Sequence, residues 1–291
     1  MYSMIGDDTS TMRITTLIEN AHGSDARLRN EHGLSLFIET KDCKLLFDLG
    51  PSHRFADNAA ILGIDLAAVD LAVISHGHYD HGGGLARFLE LNSDANVFLR
   101  RGADGPQYST ALARERYIGL DPEVLRANMD RLRWVDGETE VAPRIHLLTT
   151  IPKIDARPSG NSQLFLKEGD RLIPDPFDHE LVCVIKEEDG IVVLTGCGHC
   201  GATNMVRVAK EHFPHDSIKA VVGGFHLIFS PAANDPATTP EDVRIFAGTL
   251  ARLGCAKVIT GHCTDEKAIS ILQEQLGNRL ARLRTGMTFE M

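Results

Sequence analysis

The chain is poor in three things, and each shortage excludes a class of protein. Basic residues are in deficit, with 30 Lys and Arg against 40 Asp and Glu and a formal net charge of −10. Nucleic acid is therefore not an expected partner, because binding to a phosphate backbone draws its affinity from clustered cations. No run of about 18 apolar residues occurs, and the N-terminal stretch has neither a basic start followed by an apolar core nor a small-residue cleavage site. A cytoplasmic protein with no membrane partner is the expectation. Six cysteines in 291 residues are too few for a disulfide scaffold. Cys43, Cys183 and Cys255 lie in apolar runs, where a reduced thiol packs as a small hydrophobe.

Apolar material is ample, with 43% hydrophobic and 24% charged residues, and the length suits one α/β domain, residues 1–291. Runs of strand length alternate with helical periodicity. Strands are expected at 12–18, 34–40 and 43–48. In the last two, Leu34, Leu36 and Ile38, then Cys43, Leu45 and Phe47, keep a period of two, as an adjacent antiparallel pair does. Helices are expected at about 54–63 and 84–91. Phe55, Ala59 and Leu62 form one core-facing stripe, and Val243, Phe246 and Leu250, then Ile269, Leu272 and Leu276, form two more. From about 100 to 176 the periodicity weakens and Pro and Gly scatter, which reads as an insertion covering a site.

Six of the thirteen histidines stand where β-branched apolar runs end. Leu71–Ser75 leads into His76-Gly77-His78-Tyr79-Asp80-His81. The run from Ile191 leads to His199, that from Ala220 to His226 and that from Lys257 to His262, while Lys44–Phe47 ends on Asp48. Neighbouring strand ends of this kind gather polar groups at one rim of a sheet, where α/β proteins keep ligand chemistry. In an extended turn His76, His78 and Asp80 point one way and His81 another, so one short loop can serve two metal positions. Nitrogen and carboxylate donors suit zinc, one or two ions per chain, with manganese or iron as alternatives. His199 and His262 join by context. His226 stays open between ligand, acid–base group and structural imidazole. His22, His32, His53, His146, His179, His212 and His215 lack that context and read as surface or local hydrogen-bonding residues. Cys197 and Cys200 bracket His199 and Cys263 follows His262; packing beside the site is expected of them.

The segments FDLG at Asp48, SHGHYDHGGG from Ser75 to Gly84, TGCGH ending at His199 and TGHC at His262 resemble the metallo-β-lactamase superfamily, and the likeness spans nearly the full length. EHGLSLFIE, IPK, DPF, GGFHL and HCT are most similar to the branch named for dihydropterin-methyl-(ribofuranosyl)aminobenzene phosphate synthase. The resemblance implies an α/β (α+β) fold, a four-layer αββα sandwich with a metal centre at one edge. It implies that His76, His78 and His199 hold one metal and Asp80, His81 and His262 a second, with Asp48 hydrogen-bonding the histidine loop. Many members have a bridging aspartate where this chain has His226. An imidazole nitrogen has one lone pair and cannot bridge two close metals, so either one position binds weakly or His226 acts on substrate. Asp265 stands where the branch often has glycine.

The implied activity is hydrolysis of a small anionic or phosphorylated molecule by metal-activated water. Asp80 is a candidate ligand or general base and His226 a candidate acid. Tyr79, Lys153, Arg157 and His226 are candidate substrate contacts, with Arg100, Arg101 and Ser159-Gly160-Asn161 as further donors. Two alternatives stay open: a pterin-transferring synthase, and a non-catalytic paralogue that only binds metal and ligand. A homo-oligomer is also left open.

Overall fold

β-Branched and aliphatic runs build two seven-stranded sheets in the computed structural model, which describes residues 12–111, 114–229 and 238–291. In spatial order the first sheet is Thr288–Glu290, Arg13–Ile18, Ser35–Glu39, Lys44–Phe47, Leu71–Ile74, Asn96–Arg100 and Leu132–Val135. The second is Leu280–Arg282, Lys257–Thr260, Ile218–Gly223, Gly190–Thr195, Val182–Glu187, Ile145–Leu148 and Thr139–Ala142. The early strands match the expected ones with trimmed ends, and the pair at 35–47 is antiparallel, Ile38 standing opposite Leu45.

Alternation decides which layer each side chain joins. Leu36, Leu45 and Val73 meet Leu147, Val192 and Val222 between the sheets. From the outer face of the first sheet, Leu46, Ala72 and Ile74 pack against Phe55 and Ala59 of the helix Arg54–Ile61 and Phe88 of Leu85–Leu91. From the second, Val184, Val193 and Val221 pack under the helices Ala202–His212, Pro240–Arg252 and Glu266–Leu276. The result is helix, sheet, sheet, helix. Each such buried side chain contributes about 1.5–3 kcal/mol, so three apolar interfaces fix the sheet edges relative to each other. Among the described residues no helix is long and apolar enough to cross a membrane.

The reading of 100–176 as one covering insertion is corrected. Leu132–Val135 extends the first sheet, and Thr139–Ala142 and Ile145–Leu148 extend the second. Among the described residues Gln107–Ser109, Arg116–Tyr117, Leu164–Glu168 and Arg171–Pro174 stand apart, as a four-stranded sheet. Strands of two to five residues with mixed burial are too short to show a period. This small sheet borders the histidine loop, since Gly119 bridges His78 and the Tyr79 amide donates to the Ile118 carbonyl at 2.8 Å. Asp265 also finds its reason: its carboxylate caps Glu266–Leu276, accepting from the Ala268 amide at 2.9 Å, and accepts from the Phe229 amide at 2.7 Å.

From Lys44–Phe47 to Leu132–Val135, and from Gly190–Thr195 to Leu280–Arg282, neighbouring strands run parallel. Their carboxyl ends therefore share a rim, and from that rim the histidine loops leave.

Candidate metal centre

Backbone strain collects where the loops converge. Among the described residues five non-glycine residues have positive φ, and they include Asp48 (59°), Phe177 (57°), His226 (48°) and His262 (47°). Such conformations cost of order 1–3 kcal/mol each and persist only where the surroundings impose them. The approach is close as well: a Cβ on Gly196 would stand 2.0 Å from Ser75 Oγ and 2.9 Å from His76 Nδ1, so only glycine lets this strand end meet the loop.

His76, His78 and His199 form the first group, all buried, with their donor atoms within 4.8 Å of one another. His76 Nε2 is 3.0 Å from His78 Nδ1. The Ser75 hydroxyl donates to Asp48 Oδ2 at 2.9 Å and is left to accept from His76 Nδ1–H at 2.9 Å. His199 Nδ1 likewise meets Asn161 Oδ1 at 2.9 Å. Both rings thus present bare Nε2 atoms inward, a tautomer set by the partner of the other nitrogen. His199 Nε2 and His78 Nε2 are buried with no partner. Burial, aided by the neighbouring imidazoles, holds the pKa of His76 and His199 well below the ordinary value and that of His78 at about 3. These rings are neutral near pH 7, with Nε2 of His78 and of His199 unengaged.

Asp80, His81, Cys197 and His262 form the second group. His81 Nε2 is 3.0 Å from His262 Nε2 and 3.2 Å from Cys197 Sγ; Asp80 Oδ2 is 3.4 Å from His262 Nε2 and 3.9 Å from His81 Nε2. A tetrahedral ion with bonds of 2.0–2.3 Å spans ligand edges of roughly 3.3–3.6 Å; the second group lies close to that spacing, and the donors of the first lie within 4.8 Å of one another. The outer nitrogens are again occupied, His81 Nδ1 by Asp48 at 2.6 Å and His262 Nδ1 by Asn20 Oδ1 at 3.0 Å. Burial opposes a charge on His81, but Asp48 and Asp80 outweigh it and raise its pKa to about 9. Burial also opposes the Asp80 carboxylate, but His81, His262 and His32 outweigh it and hold that pKa well below the usual range.

The structure corrects the direction of Asp80. Tyr79–Gly82 is a helical turn, not extended chain, so Asp80 and His81 stand together in the second group while His76 and His78 turn to the first. Asp48 accepts from the Ser75 amide (2.8 Å) and hydroxyl as well as from His81. His226 lies beside His199, ring centroids 4.4 Å apart, with Nδ1 buried and unpartnered; it groups with His199 and Cys197.

Other expected contacts divide. Arg157 donates to the Pro176 carbonyl at 2.8 Å, and its Nε and Ser159 Oγ are buried without partners. Both residues line a cavity of about 370 Å³ with Gly201, Ala202 and Phe225. Arg100 is committed to the Glu180 carbonyl at 2.9 Å, and Asn161 holds His199 at both ring and carbonyl. Lys153 and Arg101 are exposed and in no ion pair among the described residues, and Tyr79 lies under the Arg116 guanidinium at 5.8 Å.

Several residues at the centre carried no sequence signal that was used. Glu180 is fully buried and accepts from the amides of His199 (2.9 Å) and Cys200 (2.6 Å). Glu19 does the same for the His262 and Ala21 amides. Glu19 and Asn20 follow the apolar strand Arg13–Ile18, the same strand-end pattern that marks the histidines. His32 lies 3.4 Å from Asp80 Oδ2. His179 accepts from the Gly77 amide at 3.1 Å and donates to Asp175 at 3.0 Å, bracing the metal loop.

Known proteins resemble this chain over most of its length. Residues 28–209 match the metallo-beta-lactamase superfamily. A solved structure described as Tm1679, a metal-dependent hydrolase of the beta-lactamase superfamily, is 32% identical with a TM-score of 0.80, covering 96% of this chain and 99% of the other. A curated relative from Methanocaldococcus jannaschii, 7,8-dihydropterin-6-methyl-4-(beta-D-ribofuranosyl)-aminobenzene-5'-phosphate synthase, is 28% identical over 94% of this chain and 95% of its own. Zn(2+)-bound PqqB from Methylobacterium extorquens, 11% identical over 96% of this chain and 100% of its own, shares the fold with a TM-score of 0.54.

Proposed function

Because the chain belongs to the metallo-β-lactamase superfamily, we propose that it is a metal-dependent hydrolase of a small anionic substrate. The observation that carries this is the pair of buried donor groups at one rim, with His76, His81, His199 and His262 each turning Nε2 inward because Nδ1 is engaged. His76, His78 and His199 would hold one divalent ion and Asp80, His81 and His262 a second, zinc being the best match to the donor set and manganese or iron the alternatives. A bound ion supplies Lewis acidity and lowers the pKa of water toward neutrality. The chain does the rest. Asp48, Ser75, Asn161 and Asn20 fix the rings, Asp80 would supply negative charge, and His226, whose Nδ1 is buried without a partner, would hand a proton to a leaving group. Arg157 and Ser159 line the cavity of about 370 Å³, whose lining includes none of the candidate ligands, and would meet an anionic group there.

The test is metal content of protein purified without chelator, followed by a panel of phosphodiesters, esters and lactones. One or two equivalents of metal and turnover of one class are expected. No metal, with no uptake on titration, overturns the reading. A second reading, a pterin-transferring synthase, is favoured by the end-to-end match to the Methanocaldococcus jannaschii relative. Condensation of an activated dihydropterin-methyl donor with a ribofuranosyl-aminobenzene phosphate, with no hydrolysis of the panel, would select it.

A further inference from the structure

Three cysteines stand at the centre, and their sulfurs are engaged differently. Cys200 Sγ donates to the Phe177 carbonyl at 3.4 Å. Cys263 Sγ accepts from the His226 amide at 3.1 Å and donates to the Cys197 carbonyl at 3.5 Å. Both have backbone partners, Cys200 Sγ also accepting from Arg157 Nη2 at 3.7 Å and Cys263 also hydrogen-bonding the Cys197 and His226 side chains. Cys197 Sγ also faces His81 Nε2, the inward nitrogen of the second donor group, at 3.2 Å. Its neighbourhood is that of a ligand, for the sulfur lies within 4.8 Å of donor atoms on Asp80, His81 and His262. It lies equally close to donor atoms on His199 and His226, and the unpartnered Nε2 of His199 belongs to the first group. Among the described residues Cys197 is thus the one shared between a set containing the second position and a set containing a ligand of the first.

Resting on the metal-dependent reading above, we propose that Cys197 is a metal ligand of this chain, its thiolate completing the second position beside Asp80, His81 and His262 and standing at the junction of the two positions. The chemistry fits the gap left by His226. An imidazole nitrogen offers a single lone pair, whereas a thiolate sulfur keeps spare lone pairs after binding one ion. A thiol on a divalent metal is deprotonated outright, and thiolate in a mixed nitrogen and oxygen set favours zinc over harder ions such as manganese.

The experiment is titration of wild-type protein, Cys197→Ser and Cys263→Ser with Co²⁺, followed by absorption spectroscopy. Wild type and Cys263→Ser are expected to develop an intense sulfur-to-cobalt charge-transfer band in the near ultraviolet with the second equivalent. Cys197→Ser should keep the visible ligand-field bands, lose the charge-transfer band, and bind the second equivalent at least about 10-fold more weakly. A band that survives in Cys197→Ser overturns the assignment, as does wild type that takes up two equivalents without one. Should the serine variant not fold, X-ray absorption of zinc-loaded wild type decides. One sulfur at about 2.3 Å beside nitrogen and oxygen at about 2.0–2.1 Å is expected, and a shell of nitrogen and oxygen alone overturns the proposal. Metal uptake without sulfur defeats only this inference. No uptake at all defeats the metal-dependent reading beneath it.

Discussion

His76, His78 and His199 form an all-imidazole group in which burial and neighbouring imidazoles outweigh the pull of Asp80 and Asp175, whereas His81, Cys197 and His262 sit against two carboxylates, Asp80 and Asp48. The first group is neutral and leaves buried nitrogens unpaired. The second closes on itself, with a charged His81 bonded to Asp48 and Asp80 reached by His32, His81 and His262. An ion entering the first position meets idle lone pairs. An ion entering the second must displace a proton from His81 and break the contact between His81 and His262. On the proposed metal-dependent reading, loading should run first position before second, and Asp80 would offset two neighbouring cations in a buried place where charge is poorly screened.

The largest effects should follow from removing one side of the pair. His199→Ala takes a ring from the first group and leaves two unpaired imidazoles. It should abolish the first equivalent of metal and lower turnover at least about 10³-fold, read from metal stoichiometry and kcat together. Asp80→Asn should separate the positions: the first equivalent stays, the second is lost, and turnover falls by about 10²–10³. A variant keeping most of its activity would remove Asp80 from both its ligand and its base role.

A smaller effect distinguishes the groups by pH. Because burial is outweighed by Asp48 and Asp80, which raise His81 to about 9 in the metal-free protein, binding at the second position releases its proton below that pH. With Cys197 as a ligand the thiol proton leaves too, so affinity should tighten about 100-fold per unit from pH 7 to 9, against about 10-fold if Cys197 stays a thiol. His78, held at about 3, has no proton to give, so affinity at the first position should be flat over the same range. Stability of the metal-free protein follows the same signs. The raised His81 contributes stability that is full below about pH 6.5 and lost as pH rises through about 9. The lowered His78 makes stability climb from about pH 3 to 6.5. Urea midpoints at pH 5, 6.5 and 9 should therefore peak at the middle value, and a midpoint still rising at pH 9 would contradict the charged His81.

What the sequence made legible was the rim. A β-branched run ending on His, repeated at His76, His199, His226 and His262, marks a strand end whatever the rest of the chain does, and Asp48 shares that mark. The orientation of Asp80 was not legible, because the helical turn 79–82 begins where His78 is extended and three glycines follow, a composition that reads as loop. Nor was Cys197, since a thiol two residues before His199 looks the same whether it packs or points at His81. Glu19, Asn20, Asn161 and Glu180 act through hydrogen bonds to residues remote in sequence, Asn20 and His262 being 242 residues apart, and no local pattern reports such a partner. The middle of the chain hid its strands by their shortness.

The finest test uses Asn20 and Asn161, which do the same job on opposite sides. Asn161 accepts from His199 Nδ1 and donates to the His199 carbonyl at 2.8 Å; Asn20 accepts from His262 Nδ1 and donates to the His262 carbonyl at 3.0 Å. Each amide fixes ring and backbone of a single candidate ligand. Removing such a partner costs about 10–100-fold in metal affinity, and half-buried sites that water can refill fall at the low end. Asn161→Ala should therefore weaken only the first equivalent and Asn20→Ala only the second, each by about 10-fold, in a titration that resolves two events. Asn20→Ala should have the smaller effect, because the His262 loop keeps the Glu19 carboxylate on its amide and Asp80 at 3.4 Å from its Nε2. If either variant weakens both events equally, the two groups are one coupled unit, and the electrostatic contrast between them governs proton release without governing the order of binding.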